Sequence, residues 1–408
     1  MSNPVRIQPD LGFVKDIQAA GGEAMKKCYQ CATCSVVCPL SPLDNPYPRK
    51  EMVWAQWGLK DRLVNDIDIW LCHNCGTCSD LCPRGAKPGD LLASLRNMAY
   101  KNLVEPKFLG TWMSHPMFLP LLVGIPATIY LLIWLVRSSF FLDGAVFPLT
   151  ADGEIVYGLL FPGDYTIDPV FGGAAVFVAW TFYKGIRRMY EAFDSQPQTF
   201  TLGYQRPGWW QSLWDVLTKE IVTHSKWKDC GDDEGDKQRF TGHFTLFYAF
   251  VALFIVTSII AVTHWGGKVI PFLAPIGHTP MPLWSPVKIL ANVGAVALVV
   301  GLTILTNRRL NQDQSKHGSS YYDWYLLGVI WVIAITGIAC EILRLANVPM
   351  LAYPTYYVHL ISVFMLIAYL PWSKLGHLVY RTAALVYARH NGRLPMVGDE
   401  QQEKIFVI

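Results

Sequence analysis

Charge is scarce in this sequence. Asp, Glu, Lys and Arg make up 16% of it, against 52% hydrophobic residues. An ordinary soluble domain carries about a quarter of its residues charged, so this composition excludes one. No Gly-x-Gly-x-x-Gly run occurs, so the chain lacks the dinucleotide fingerprint and any flavin belongs to a partner. No Cys-x-x-Cys-His occurs, which argues against covalently attached c-type haem. No secretory or transit segment precedes the first cysteines, so thiols rather than disulfides are expected on a cytoplasmic face. Ionisable residues are sparse at mid-span positions, which speaks against a redox-driven transporter. The net charge of +3 identifies no partner by itself, and no nucleic acid is expected.

What is present is cysteine in a strict pattern. Eight of the ten cysteines fall in two runs, Cys28, Cys31, Cys34, Cys38 and Cys72, Cys75, Cys78, Cys82. Both read Cys-x2-Cys-x2-Cys-x3-Cys-Pro, the ligand run of two-cluster ferredoxins. Three close cysteines wrap one side of a cubane, and the fourth reaches the neighbouring cluster. One [4Fe-4S] cluster therefore takes Cys28, Cys31, Cys34 and Cys82, the other Cys72, Cys75, Cys78 and Cys38. Structural zinc favours two pairs of ligands instead. Pro39 and Pro83 turn the chain after each run. Helices are expected over 50–64, 90–103 (Pro88 near its start) and 11–20 (ending at Gly21-Gly22), covering the clusters, with Trp54 and Trp57 as core or cover rather than electron relays. Cys340 packs in an apolar segment, and Cys230 stands apart.

After Pro116 the chain turns apolar. Six spans are expected, at 117–136, 171–189, 243–263, 286–306, 323–342 and 354–372, each of about the 20 residues a bilayer helix needs. Arg187 and Arg188, Arg308 and Arg309, and Lys374, Arg381 and Arg389 follow alternate spans, which puts those ends on the cytoplasmic side. The loop from Leu142 to Val170 carries Asp143, Asp152, Glu154, Asp164 and Asp168 without a Lys or Arg and belongs outside. The loop 190–240 lies inside, with Trp209, Trp210, Trp214 and Trp227 at headgroup level; its acidic stretch 229–236 reads as a solvated turn. The expected organisation is all-α: a two-cluster domain at 1–108, a membrane domain at 109–390, and a cytoplasmic tail at 391–408.

Four histidines suit haem. His243 and His264 bound the third span, about 31 Å apart along a helix. His359 begins the sixth, and His377 follows it by 18 residues, five full turns if the helix continues past Pro371. Antiparallel spans then pair His243 with His377 near the cytoplasm and His264 with His359 near the outer face, giving two bis-histidine b haems. His115, His224 and His278 compete as ligands. A membrane anchor without haem is the bland alternative.

With both cysteine runs and the six spans in view, the chain resembles the membrane component of quinone-interacting membrane-bound oxidoreductase complexes. Residues 1 to about 105 resemble the small iron–sulfur subunit of heterodisulfide reductases. Residues from about 110 to 390 resemble the membrane cytochrome b of heterodisulfide and respiratory nitrate reductases. The resemblance implies electron transfer between membrane menaquinone or menaquinol and a cytoplasmic partner in a prokaryotic inner membrane. It further implies two flavin- and iron–sulfur-containing partner subunits and adenylylsulfate reductase as soluble partner. A fusion subunit of a heterodisulfide or sulfite reductase type complex is the other reading. For the quinone, Lys268, Glu341 and Arg344 are the outer candidates, Glu341 and Arg344 sharing a helix face, and Lys374 is an inner one.

Overall fold

A computed structural model of the chain describes residues 8–42, 45–196, 205–225, 234–277 and 279–393. Cys230, Trp227, His278, most of the acidic stretch 229–236 and the tail beyond Arg393 lie outside these; positions 234–236 of that stretch are already helical. Eight helices of fifteen residues or more organise the described chain, all of it helix and loop. They are α1 (Pro88–Leu103), α2 (Leu119–Phe141), α3 (Asp168–Asp194), α4 (Glu234–Gly267), α5 (Pro286–Leu310), α6 (Tyr321–Leu345), α7 (Pro349–Ala368) and α8 (His377–Asn391).

Five segments are long and apolar enough to cross a membrane: 116–141, 237–267, 286–310, 321–345 and 349–368. Their outward faces leave Leu132, Leu135, Phe254, Val262, Val293, Val296 and Ile335 exposed, as lipid-facing side chains are. The chain is thus a multi-pass membrane protein with a helical region at its amino end that carries both cysteine runs. The expected second span forms as α3 but is not among the five, because Lys184, Arg187, Arg188, Glu191 and Asp194 crowd its second half. α3 nevertheless runs from one end of the bundle to the other. Its first residue, Asp168, accepts from Trp265 Nε1 near the end of α4 (3.0 Å). Near its far end Arg188 pairs with Glu105 of the iron–sulfur side (2.5 Å).

The bundle has two cores. One, of Ala249, Leu298, Leu302, Leu327, Ile330 and Ala334, joins α4, α5 and α6. There a Cβ on Gly301 would sit 2.9 Å from the Leu246 backbone, so α4 and α5 touch through small residues. The other core is continuous from α2, α3 and α7 through α8 into the iron–sulfur region. Pro126 inside α2 has no N–H for the Leu122 carbonyl, and Tyr369 Oη donates to that carbonyl instead (3.0 Å).

Two expected helices are broken. The stretch 50–64 splits into Arg49–Gln56 and Lys60–Val64 around Gly58. Gly58 adopts φ 66, and an added Cβ there would lie 2.9 Å from the Asp10 carbonyl. In consequence Trp57 points to solvent, 54% exposed, and does not cover a cluster, while Trp54 is half-buried. The sixth span does not continue to His377. α7 ends at Ala368, two short 3-10 turns follow, and α8 starts afresh at His377. Pro371 cannot donate to the ladder there, and a Cβ on Gly376 would sit 2.8 Å from the Leu370 carbonyl. α7 also begins at Pro349, so His359 lies mid-helix and not at its outer start.

α8 seats the membrane bundle on the iron–sulfur region. Trp70, Tyr100 and Tyr380 meet with ring centres 5.5, 5.6 and 5.8 Å apart, all buried. Beyond α8, Arg393 reaches buried Asp68 (2.6 Å), which Lys50 also binds (2.6 Å).

Candidate functional site

The two cysteine runs fold as a structural repeat. Gln30 and Asn74, the residues before each second cysteine, take left-handed backbone (φ 67 and 54). So do Ala32 and Gly76, which follow it (φ 68 and 95). Each run then enters a one-turn helix, Thr33–Val36 and Thr77–Asp80. Ser35 Oγ accepts from Arg49 N and Ser79 Oγ from Gly89 N, both at 3.1 Å, so each run is tied to the start of a following helix. This alternation of left-handed residues curls three thiols around a common centre.

Two cavities result. One is lined by Cys72, Cys75 and Cys78 together with Cys38, the other by Cys28, Cys31 and Cys34 together with Cys82. Each draws three cysteines from one run and the fourth from the other. Burial pushes the Cys38 thiol up to about 12 and the Cys34 thiol up to about 11, neighbouring cysteines adding to both. Four thiolates so placed need a cationic centre to hold them ionised, so the donor set suits iron. Asn74 N donates to Cys72 Sγ (3.2 Å) and Ala86 N to Cys82 Sγ (3.3 Å), contacts that tune a bound cluster.

A loop between α5 and α6, which the sequence did not single out, closes over one cavity. His317 Nε2 meets Asp80 Oδ1 (3.0 Å), Gly318 N donates to Asp90 (2.7 Å), and Lys87 Nζ donates to the Gln314 carbonyl (2.7 Å). A Cβ on Gly76 would lie 2.5 Å from the His317 ring. Gly76→Ala therefore faces both a left-handed φ and a clash, and should destabilise this seat by about 1–3 kcal/mol. The expected readout is faster iron loss to a chelator, partly recovered in Gly76→Ala/His317→Ala. Iron retention like that of the parent would contradict this packing.

His243 of α4 and His377 of α8 stand with ring centres 6.5 Å apart. An iron about 2 Å from a nitrogen of each ring puts the centres about 6 Å apart, so the spacing admits one metal between them. His377 Nδ1–H donates to the Lys374 carbonyl (2.5 Å), which orients Nε2 for a ligand. Burial holds His377 down to about 4, so the ring is neutral as a ligand must be. His224, named as a competitor, lies against His243 with ring centres 5.3 Å apart.

The other expected pair is held differently. His264 is exposed and its Nε2 meets Asp164 Oδ1 (2.5 Å). Asp164 also takes Lys268 Nζ (2.6 Å), which lies 3.8 Å above the Trp265 ring. His359 Nδ1 meets Thr336 Oγ1 of α6 (3.0 Å), and its ring stacks near Tyr356. Glu341 is bound by Lys288 of α5 (3.0 Å) and approached by Asn292 Nδ2 (3.4 Å). Arg344 lies one turn beyond Cys340, whose carbonyl accepts from Tyr157 Oη (2.7 Å). Lys374 is paired with Asp323. The partners Asp164 and Lys288 escaped the sequence reading because they come from other segments; only the bare acidity of the 142–170 loop pointed toward one of them.

Arginines on the two helices that carry the histidine pair reach the Cys72 loop, and a third, from α1, joins them. Arg381 Nη2 donates to His73 Nε2 (2.8 Å), Arg239 donates to the carbonyls of Asn74 (2.5 Å) and His73 (3.3 Å), and Arg96 Nη1 donates to that of Cys72 (2.9 Å).

Residues 24–86 match the family described as 4Fe-4S dicluster domain, and residues 169–397 match that described as Citrate utilization protein B. The chain is similar to a subunit of dihydromethanophenazine:CoB--CoM heterodisulfide reductase of Methanosarcina mazei, 27% identical over 158 residues, 36% of this chain and 59% of that protein. The Methanosarcina thermophila counterpart is 28% identical over 158 residues, 36% of this chain and 58% of that protein. A subunit of H(2):CoB-CoM heterodisulfide,ferredoxin reductase of Methanothermobacter marburgensis is 39% identical over 93 residues, 22% of this chain and 50% of that protein. The chain thus covers 50 to 59% of the length of these relatives. No solved structure matches. An iron–sulfur region is here fused to a membrane segment distantly related to heterodisulfide-reductase subunits.

Proposed function

The chain belongs to the citrate utilization protein B family, and from that premise we propose that it carries electrons across the boundary between a membrane redox carrier and a protein partner, as a subunit of a heterodisulfide reductase type complex. The observation that carries this is a single juxtaposition. Two crossed cysteine cavities lie at the end of a membrane bundle that carries a half-buried histidine pair, and the Cys72 loop is tied by Arg381 to the helix of His377. Bound [4Fe-4S] clusters and b haems supply one-electron storage. The residues do the rest. Cys72, Cys75, Cys78 and Cys38 hold the inner cluster, Cys28, Cys31, Cys34 and Cys82 the outer. His243 and His377 would hold one haem, and a second would need His264 and His359, released from Asp164 and Thr336.

The protein partner docks at the Cys28-side cavity, where Cys31 and Tyr29 of the lining are exposed. Arg188, Arg309 and Arg381 stand at the bundle end that carries the iron–sulfur region, so by the positive-inside rule that region and the α8 end are cytoplasmic. α3 then serves as a sixth crossing, and the membrane is a prokaryotic inner membrane.

The small carrier is of the menaquinone class and exchanges protons at the opposite end. Lys268 and Glu341, each in an ion pair there, are the groups that move them. In Glu341→Gln and Lys268→Ala, quinol-driven haem reduction should fall about a hundredfold with haem content unchanged. Rates equal to the parent in both would move the site to the inner face, beside Lys374.

The whole reading is tested by a pyridine haemochrome assay and electron paramagnetic resonance of the purified protein. About two haem b and two [4Fe-4S] signals per chain are expected; no haem b at all would leave a plain membrane anchor. A second reading, favoured by both modules residing in one chain, places it with two flavin-bearing subunits and adenylylsulfate reductase. The proteins co-purifying from native membranes decide between the two.

A further inference from the structure

The contacts around His73 have a regularity that the proposed electron transfer does not require by itself. Arg239 lies four residues before His243 in α4, and Arg381 lies four residues after His377 in α8. Residues four apart share a helix face, so each histidine carries an arginine one turn away on its own face. The two helices run in opposite senses relative to their histidines, so both arginines fall on the iron–sulfur side. Both then close on the same dipeptide, His73-Asn74, between two cysteines of one cavity. Arg239 takes the carbonyls of Asn74 (2.5 Å) and His73 (3.3 Å), and Arg381 takes the His73 ring nitrogen (2.8 Å). Arginine only donates, so His73 Nε2 accepts and its proton sits on Nδ1. Arg96 fixes the preceding carbonyl, of Cys72 (2.9 Å), and the Asn74 N–H returns to Cys72 Sγ (3.2 Å).

We propose that Arg239 and Arg381 are positioning residues that clamp the His73-Asn74 loop onto the His243/His377 pair, and that His73 is the contact through which the two redox sites exchange electrons. This rests on the reading of those histidines as haem ligands and of Cys72, Cys75, Cys78 and Cys38 as cluster ligands. The step is the transfer of one electron between the iron at the histidine pair and the cysteine-held cluster. One site is oxidised by one unit and the other reduced by one, with no bond made or broken and no proton moved. A planar guanidinium holding two acceptors fixes the loop in a way a lysine cannot. Glu220 is the acidic group whose charge faces Arg381.

The test uses the full chain with haem and clusters bound, reduced by menadiol in a stopped-flow and freeze-quench series. In Arg239→Lys/Arg381→Lys and, separately, in His73→Gln, haem content and haem reduction should match the parent. Appearance of the reduced-cluster signal should slow by about tenfold or more. In Arg381→Gln the midpoint potential of the Cys72-side cluster should also fall while the Cys28-side cluster keeps its own, a site-selective shift that general loosening would not give. His73→Gln leaves every cysteine, histidine pair member and arginine in place and covers the case in which the arginine variants bind poorly. Cluster reduction at the parental rate in His73→Gln and in the double lysine variant overturns the proposal. Absence of haem b in the unaltered protein would instead remove the reading beneath it.

Discussion

Cys38→Ser is expected to abolish the cluster on the far side of the repeat and to spare the one nearest in sequence. Cys38 follows the turn that carries Cys34, yet it lines the cavity of Cys72, Cys75 and Cys78. Its thiol is half-buried and pushed up to about 12, with Cys72 and Cys75 contributing after burial. Without iron that site has no reason to keep a thiolate, and with iron three cysteines alone leave one corner open. Serine is a harder and poorer ligand for iron in such a cluster. Iron per chain should fall from about eight atoms to about four. The paramagnetic signal that disappears should be the one also lost in Cys75→Ser, while the signal lost in Cys31→Ser persists. Selective loss of the Cys31-dependent signal in Cys38→Ser would mean that each run closes its own cluster, and the crossed reading would fall.

The second large effect belongs to His377. In His377→Ala the haem held with His243 should be lost or converted to a five-coordinate form, so haem b falls from about two per chain toward one. His243→Ala should give the same spectrum, because the two rings face one site. His224→Ala separates ligand from neighbour. The His224 ring lies 5.3 Å from that of His243, too close for iron to sit in line between them at about 2 Å from each. It should therefore shift the bands without removing them. If His377→Ala left the full haem content and spectrum intact, the inner pair would be no haem site, and the histidine pairing would have to be redrawn around His224.

The cysteine pattern was legible at once because its constraint is local. Ligand sets within a run are limited by a few residues of chain, and only left-handed turns such as those at Asn74 and Gly76 can close them. The apolar helices were legible because crossing a bilayer demands length and composition, which a sequence displays directly. α3 was harder for the same reason: its charged second half falls short on composition although it runs the length of the bundle.

Spacing alone did not show how His377 is presented. Eighteen residues from His359 look like five turns of one helix, but Pro371 and Gly376 break the chain between them. The ring that reaches His243 is presented from a separate helix, α8, held by the Trp70–Tyr100–Tyr380 contact. What the sequence by itself determined, then, was which residues can bind iron and which segments can lie in lipid. What only the tertiary structure decided was which faces meet: Asp164 on His264, Lys288 on Glu341, and Arg239 and Arg381 on His73. In lipid every apolar helix face is nearly equivalent in hydrophobicity, so the choice among them rests on close packing and buried polar contacts between distant segments, which no local pattern records.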